Sequence, residues 1–333
     1  MGGAILGLGA AISSRRMSRI LVTGATGFVG RALLPALHKR HEVIAACRHP
    51  GAAESPAGGI AWRLVGEIGP ETQWSEVLRG VDAVVHLAAH VHQRAAADPA
   101  DFHRINAAGT KRLAEAARKA GVKRLVFLSS IKVNGEGKTG VPFREDDSPL
   151  PEGPYAESKW AAEQSLAEIA ASGGPEAIIL RPPLVYGPGA RANFAALMRL
   201  CRLGVPLPLG AVENRRSLIY LGNLVAAIER ALEAPAGSFC RTYLLSDGED
   251  VSTPELVRRI GKALGRPARL VKVPASFLGL ALHAAGRSGA ADRLLGSLTV
   301  DASRFRRDFD WRPPYTMEQG LAATAEAFRA ASS

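Results

Sequence analysis

Cysteine is scarce in this 333-residue chain: Cys47, Cys201 and Cys240 are odd in number, far apart and without metal-ligand spacing. A disulfide framework and a thiolate zinc site are thereby excluded, and a reducing compartment, the cytoplasm, is expected. No stretch reaches the ~18 consecutive apolar residues of a spanning helix, so no stable membrane insertion is expected. Near the start an apolar run, 4–12, is followed rather than preceded by arginines, which does not suit a signal peptide. Residues 1–16 are read as a disordered extension, with the folded chain beginning near Met17. Aromatics make up only 6% and do not interleave with basic residues, so the net charge of +11 does not indicate nucleic acid. A basic field also attracts phosphate-bearing small molecules. His86, His90, His92 and His103 lie close in sequence, but no carboxylate pair completes a coordination set and no metal is expected.

What is present is ordinary globular composition, 47% hydrophobic and 22% charged. A short apolar run at 19–23 leads into Gly24-Ala25-Thr26-Gly27-Phe28-Val29-Gly30 and then a helical stretch, 31–40. Strand, glycine turn and helix in that order form a phosphate site: glycines let the backbone approach a diphosphate, and the helix start offers unpaired N–H groups. Further strands are expected over 42–46, 82–88, 124–129 and 177–181, with a helix over 106–120. Alternation of this kind predicts an α/β, doubly wound parallel sheet (Rossmann), with ligands beyond the carboxyl ends of its strands. Leu87, Ala88, Ala89, Ser129 and Ser130 fall at such ends.

The end of the second strand normally selects between NAD and NADP, through an acid on the ribose or a base on its 2′-phosphate. Here it reads Ala46-Cys47-Arg48-His49, with no carboxylate. NADP is therefore expected to be tolerated, with Arg48 either the phosphate contact or a solvated arginine.

In Gly153-Pro-Tyr155-Ala-Glu-Ser-Lys159-Trp160, Tyr155 and Lys159 are four positions apart and share a helix face. Oxidation or reduction at a carbinol moves a proton to or from oxygen. A phenol can carry it if a nearby ammonium lowers its pKa from ~10. Lys159 suits that role and would also hold the nicotinamide ribose. A hydroxyl must fix the reacting oxygen, and Ser130 is the candidate, with Ser129 its rival.

These segments resemble the NAD-dependent epimerase/dehydratase family, the extended short-chain dehydrogenase/reductases acting on nucleotide sugars. GATGFVG matches the family's G-x-x-G-x-x-G, SSIKVNG its S-S-x-x-V-Y-G, YAESK its Y-x-x-x-K and RPPLVYGPG its R-x-x-x-V-Y-G-P. The resemblance selects Ser130, five residues before Gly135 and 25 before Tyr155, as the catalytic hydroxyl. It also implies that Asn106 lies near the active site, that Glu67 meets adenine, and that Asn193 and Arg216 bind the diphosphate of a UDP-sugar. Asn193 also reads as a helix cap, and Arg216 as half of a surface ion pair. Dehydratases of the family carry two carboxylates after the catalytic hydroxyl; Ile131 and Lys132 stand here, so dehydration is not expected.

The resemblance therefore implies a UDP-sugar 4-epimerase or an NADPH-dependent 4-keto-6-deoxy sugar 4-reductase. Retention of Ser130, Tyr155 and Lys159 argues against an NADP(H)-binding redox regulator. Departures from the family are Asn223 and Ser217 in place of acids, and Arg293 as the substitute for an absent UDP-gripping arginine stretch. The expected domains are a dinucleotide-binding unit, 17–181, joined by a return of 215–247 to the same sheet, and a smaller mixed C-terminal substrate-binding unit, 182–214 with 248–330. The apolar segment 275–285 is read as core, with a homodimer face or a surface for a lipid-linked sugar as alternatives.

Overall fold

The computed structural model describes residues 17–49, 59–91, 98–137, 140–190, 192–233, 235, 237, 239–284, 286 and 288–331. The expected extension, 1–16, and His92 lie outside them. Seven parallel strands form the main sheet: β1 (Arg19–Thr23), β2 (Glu42–Cys47), β3 (Ala61–Leu64), β4 (Ala83–His86), β5 (Arg124–Leu128), β6 (Glu176–Arg181) and β9 (Cys240–Leu244). Their order, β3-β2-β1-β4-β5-β6-β9, reverses direction between β1 and β4. A doubly wound sheet opens a crevice at that point.

Alternation along β1 explains the two-sided core, because successive side chains leave a strand on opposite faces. Ile20 and Val22 join one buried cluster with Leu33 and Leu37 of α1 (Phe28–His38) and Leu224 and Ile228 of α6 (Leu221–Glu233). Leu21 joins the other, with Leu113 of α3 (Gly109–Lys119) and Leu166 of α4 (Gly153–Ala171). Each such fully buried aliphatic side chain contributes roughly 1.5–3 kcal/mol.

A second, three-stranded sheet is mixed: β8 (Arg216–Tyr220) pairs parallel with β7 (Leu184–Tyr186) and antiparallel with β10 (Asp250–Val251). It packs with α5 (Ala192–Leu203), α7 (Thr253–Ala263) and α11 (Met317–Ala330) around Tyr186, Phe194, Leu218, Val257 and Leu321.

Four expectations change. Residues 215–247 divide between the sheets: β9 extends the large one beside β6, whereas β8 is captured by β7. From the C-terminal stretch, α10 (Ser303–Phe309) and Trp311 pack back onto the large sheet, Phe305 and Phe309 stacking edge-on against Tyr243 of β9. The helix expected over 106–120 starts earlier: α2 (Pro99–Phe102) runs into a π-helical segment, His103–Ala108, before α3. Finally α8 (Ala275–Ala284), expected as core, contributes no buried residue; it lies beside α9 (Ser288–Leu295), with Phe277 67% and Leu280 69% exposed.

Candidate active site

The carboxyl ends of β1, β4 and β5 are neighbours and deliver their following residues to one place. After β1, Gly24 adopts φ +68°, and a Cβ there would come 2.7 Å from Ala88 N and 2.8 Å from the carbonyl carbon of Leu87. A Cβ on Gly30 would run into the carbonyl oxygens of Gly24 and Ala25. Only glycine lets the turn, the start of α1 and the 87–89 segment approach this closely. Gly27 caps α1 without a side chain, and the first turn holds no acid. Phe28 and Val29 in that turn are only partly buried, and Thr26 is exposed. The uncapped helix start and the Cβ-free cradle fit a dinucleotide diphosphate.

On the β5 side, Ser130 has extended backbone and caps the short 3₁₀ turn Ile131–Val133, its Oγ accepting the Lys132 N–H at 3.3 Å. Its hydroxyl lies beside the phenol of Tyr155, in the first turn of α4. Burial pushes the Tyr155 phenol up to about 12, and the neighbouring Ser130 hydroxyl opposes that rise. One turn on, Lys159 is 1% exposed; its Nζ donates to Leu128 O at 2.8 Å and lies 4.3 Å from the centre of the Phe127 ring. Burial brings its pKa down to about 7, with Glu163 holding it up. The expected helix face carrying Tyr155 and Lys159 is thus present, but in this geometry burial and Ser130, rather than Lys159, move the phenol.

Two buried polar groups tie the crevice together. Asn106, in the π-helical segment, donates to Ser158 Oγ at 3.0 Å and clamps the backbone of His90. Extra backbone in a π-helical turn is a common way of re-aiming such a side chain. His86, at the end of β4, lies 2.6 Å from Thr23 Oγ1 and 2.9 Å from Thr110 Oγ1. Since Thr110 gives its own proton to Asn106 O, it must accept from His86 Nε2–H, and Nδ1 accepts from Thr23. Burial, with a smaller push from Lys159, brings the His86 pKa down to about 3, so the ring is neutral.

The remaining predicted residues are placed less uniformly. Leu87, Ala88 and Ala89 follow β4, Ala88 donating its N–H to Thr23 Oγ1 at 3.3 Å. Arg48 is exposed one residue past β2. Glu67 pairs with Arg104 at 3.1 Å. Arg216 lies on β8 and donates to Gly296 O at 2.9 Å. Asn193 falls inside α5 rather than before it, and its side chain, like that of Arg293, lies outside the described residues. Among the described residues no group of histidines, cysteines and carboxylates is arranged to hold a metal ion, and no helix is long and apolar enough to cross a membrane.

Sequence reasoning passed over Glu163, 2% exposed, whose carboxylate receives Ser129 Oγ and the Arg181 guanidinium, Nε at 2.9 Å among its donors. The available signal was its spacing, a third position on the face of Tyr155 and Lys159.

The model of the NAD dependent epimerase/dehydratase family matches residues 20–243. A UDP-glucose 4-epimerase of Vibrio cholerae is 42% identical over 322 residues, 94% of this chain and 97% of that protein. A 2-alkyl-3-oxoalkanoate reductase of Stenotrophomonas maltophilia is 30% identical over 336 residues, 91% of this chain and 97% of that protein. Among solved structures, MoeE5 in complex with UDP-glucose and NAD shares 28% identity and a TM-score of 0.75, over 95% of this chain and 100% of that one. With its glycine turn at the sheet reversal and its Ser130, Tyr155 and Lys159 beside it, the chain belongs to the NAD dependent epimerase/dehydratase family.

Proposed function

We propose that this enzyme is an NAD-dependent UDP-sugar 4-epimerase. The observation that carries the reading is the placing of two hydroxyls, Ser130 and Tyr155, beside one another at the carboxyl end of β5, with Lys159 one turn on. Gly24, Thr26, Gly27, Phe28, Val29 and Gly30 would hold the cofactor's diphosphate, and Leu87, Ala88, Ala89 and Asn106 would border its nicotinamide half. Bound nicotinamide supplies the exchange of a hydride with the sugar carbon. Ser130 holds the sugar oxygen, and Tyr155 takes its proton and later returns it. Burial alone moves Tyr155 the wrong way for a base, so positive charge must offset it; Lys159, on the same helix face, is the resident source. No carboxylate follows Ser130, where Ile131 and Lys132 stand, so elimination of water has no acid or base to serve it.

The nucleotide-diphosphate sugar would lie between this pair and the small sheet, with Arg216 and Asn193 toward its diphosphate. A guanidinium suits that anion. Glu67 is the residue assigned to the adenine end. A cytoplasmic homodimer belongs to the same reading. Its reducing setting is supported by the buried free thiols of Cys47 and Cys201, and the dimer is checked by light scattering.

Arg48 favours a second reading, a 4-keto sugar reductase using NADPH, because no carboxylate accompanies it at the end of β2. The cofactor that copurifies separates the two. Bound NAD that is never net-consumed supports the epimerase, whereas cofactor-free protein that oxidises NADPH only with a 4-keto sugar overturns it.

A further inference from the structure

Tyr155, Lys159 and Glu163 recur every fourth residue of α4, so the third member of the face sits directly behind the lysine. Lys159 is buried, and among the described residues no carboxylate pairs with it directly; its ammonium meets the Leu128 carbonyl and the Phe127 ring. The titratable and charged groups facing Lys159 or Glu163 are Tyr155 from the same helix face, His86 from β4, beside the lysine, and Arg181 from β6 and Cys240 from β9, beside the glutamate. His86 is neutral, and burial pushes the Cys240 thiol up to about 11, so it too is neutral. That leaves Glu163 as the one anion of the cluster. It also gathers three segments: Ser129 from the end of β5, Arg181 from β6 and, through Arg181 Nη1 at 2.9 Å, Asn134.

Resting on the epimerase reading of this site, we infer that Glu163 is a positioning residue for the reaction. Its carboxylate is the counter-charge that keeps the buried Lys159 ammonium protonated, and its bond to Ser129 fixes the neighbouring Ser130. The physical demand is plain: an ammonium in a low-dielectric site releases its proton unless an anion lies near, and the anion must itself be held. Arg181 performs that holding. Burial lowers the pKa of Lys159 and Glu163 is what raises it.

The test uses full-length enzyme with NAD and UDP-glucose. Glu163→Gln leaves the buried Arg181 without its counter-charge and endangers folding, so the double variant Glu163→Gln with Arg181→Gln is made beside it, together with Ser129→Ala. Two quantities are followed: kcat/KM against pH, and the titration of Lys159 by NMR of isotope-labelled lysine. In both Glu163 variants the basic limb of the profile is expected to fall by about one pH unit, a tenfold loss above it, and Lys159 to titrate correspondingly lower. Ser129→Ala is expected to lower kcat with the limb unmoved. A uniform loss of activity with limb and titration unchanged would overturn the assignment and leave Glu163 a packing residue. If the wild type fails to epimerise, the epimerase reading falls, and the Lys159 titration still decides the role of Glu163.

Discussion

The side-chain amide of Asn106 holds both backbone groups of His90, accepting its N–H at 2.6 Å and donating to its carbonyl at 3.0 Å. Because the same amide reaches Ser158, between Tyr155 and Lys159, it locks the segment after β4 to the helix carrying the phenol. Asn106→Ala leaves these groups unpaired in a largely buried place, at a cost of about 2 kcal/mol. Chemical denaturation should show that loss, and calorimetry should show weaker NAD binding. Wild-type NAD affinity in the variant would separate Asn106 from the crevice.

Tyr155→Phe removes the proton path but keeps the ring that meets Phe102 edge-on at 6.4 Å. Turnover is expected to drop by roughly 10²–10⁴, the usual share of general acid–base catalysis, while NAD still binds. Undiminished turnover would remove Tyr155 from the chemistry.

Arg48 stands exposed at the end of β2, where a 2′-phosphate would arrive. Arg48→Ala should weaken NADPH more than NADH in paired titrations. Equal losses would make it a solvated arginine.

His86 is neutral in the fold, its pKa lowered to about 3 by burial, whereas the unfolded chain takes up the proton near 6.5. Its contribution is therefore complete above pH 6.5 and is lost as pH falls toward 3. Between pH 7 and 4.5 the wild type should lose about 2–3 kcal/mol more stability than His86→Gln, measured by urea unfolding at both pH values. Parallel losses would show that His86 is not the acid-sensitive group.

The parts of the site that were legible in the sequence are local ones. Gly24 to Gly30 and Tyr155 to Lys159 each complete their geometry within about two turns, so spacing exposes them. β3 was missed because Ala61–Leu64 is short and lies on the sheet edge, with Arg63 and Leu64 exposed, and so lacks the apolar run of a buried strand. The π-helical stretch His103–Ala108 was hidden because its residues also suit an α-helix. The grip on Glu163 was beyond reach for another reason: Ser129 and Arg181 meet only because β5 pairs with β6, Ser129 N–H donating to Leu180 O at 2.8 Å. The loss of 215–247 from a single sheet has the same origin, since strand capture by β7 is a tertiary choice.

The most direct measurement is proton NMR of UDP-glucose incubated with the NAD-loaded protein. Inversion at C4, with absorbance at 340 nm showing no net NADH, is the predicted result. An unchanged sugar, or one altered only by oxidation as NAD is converted to NADH in equal amount, would contradict it.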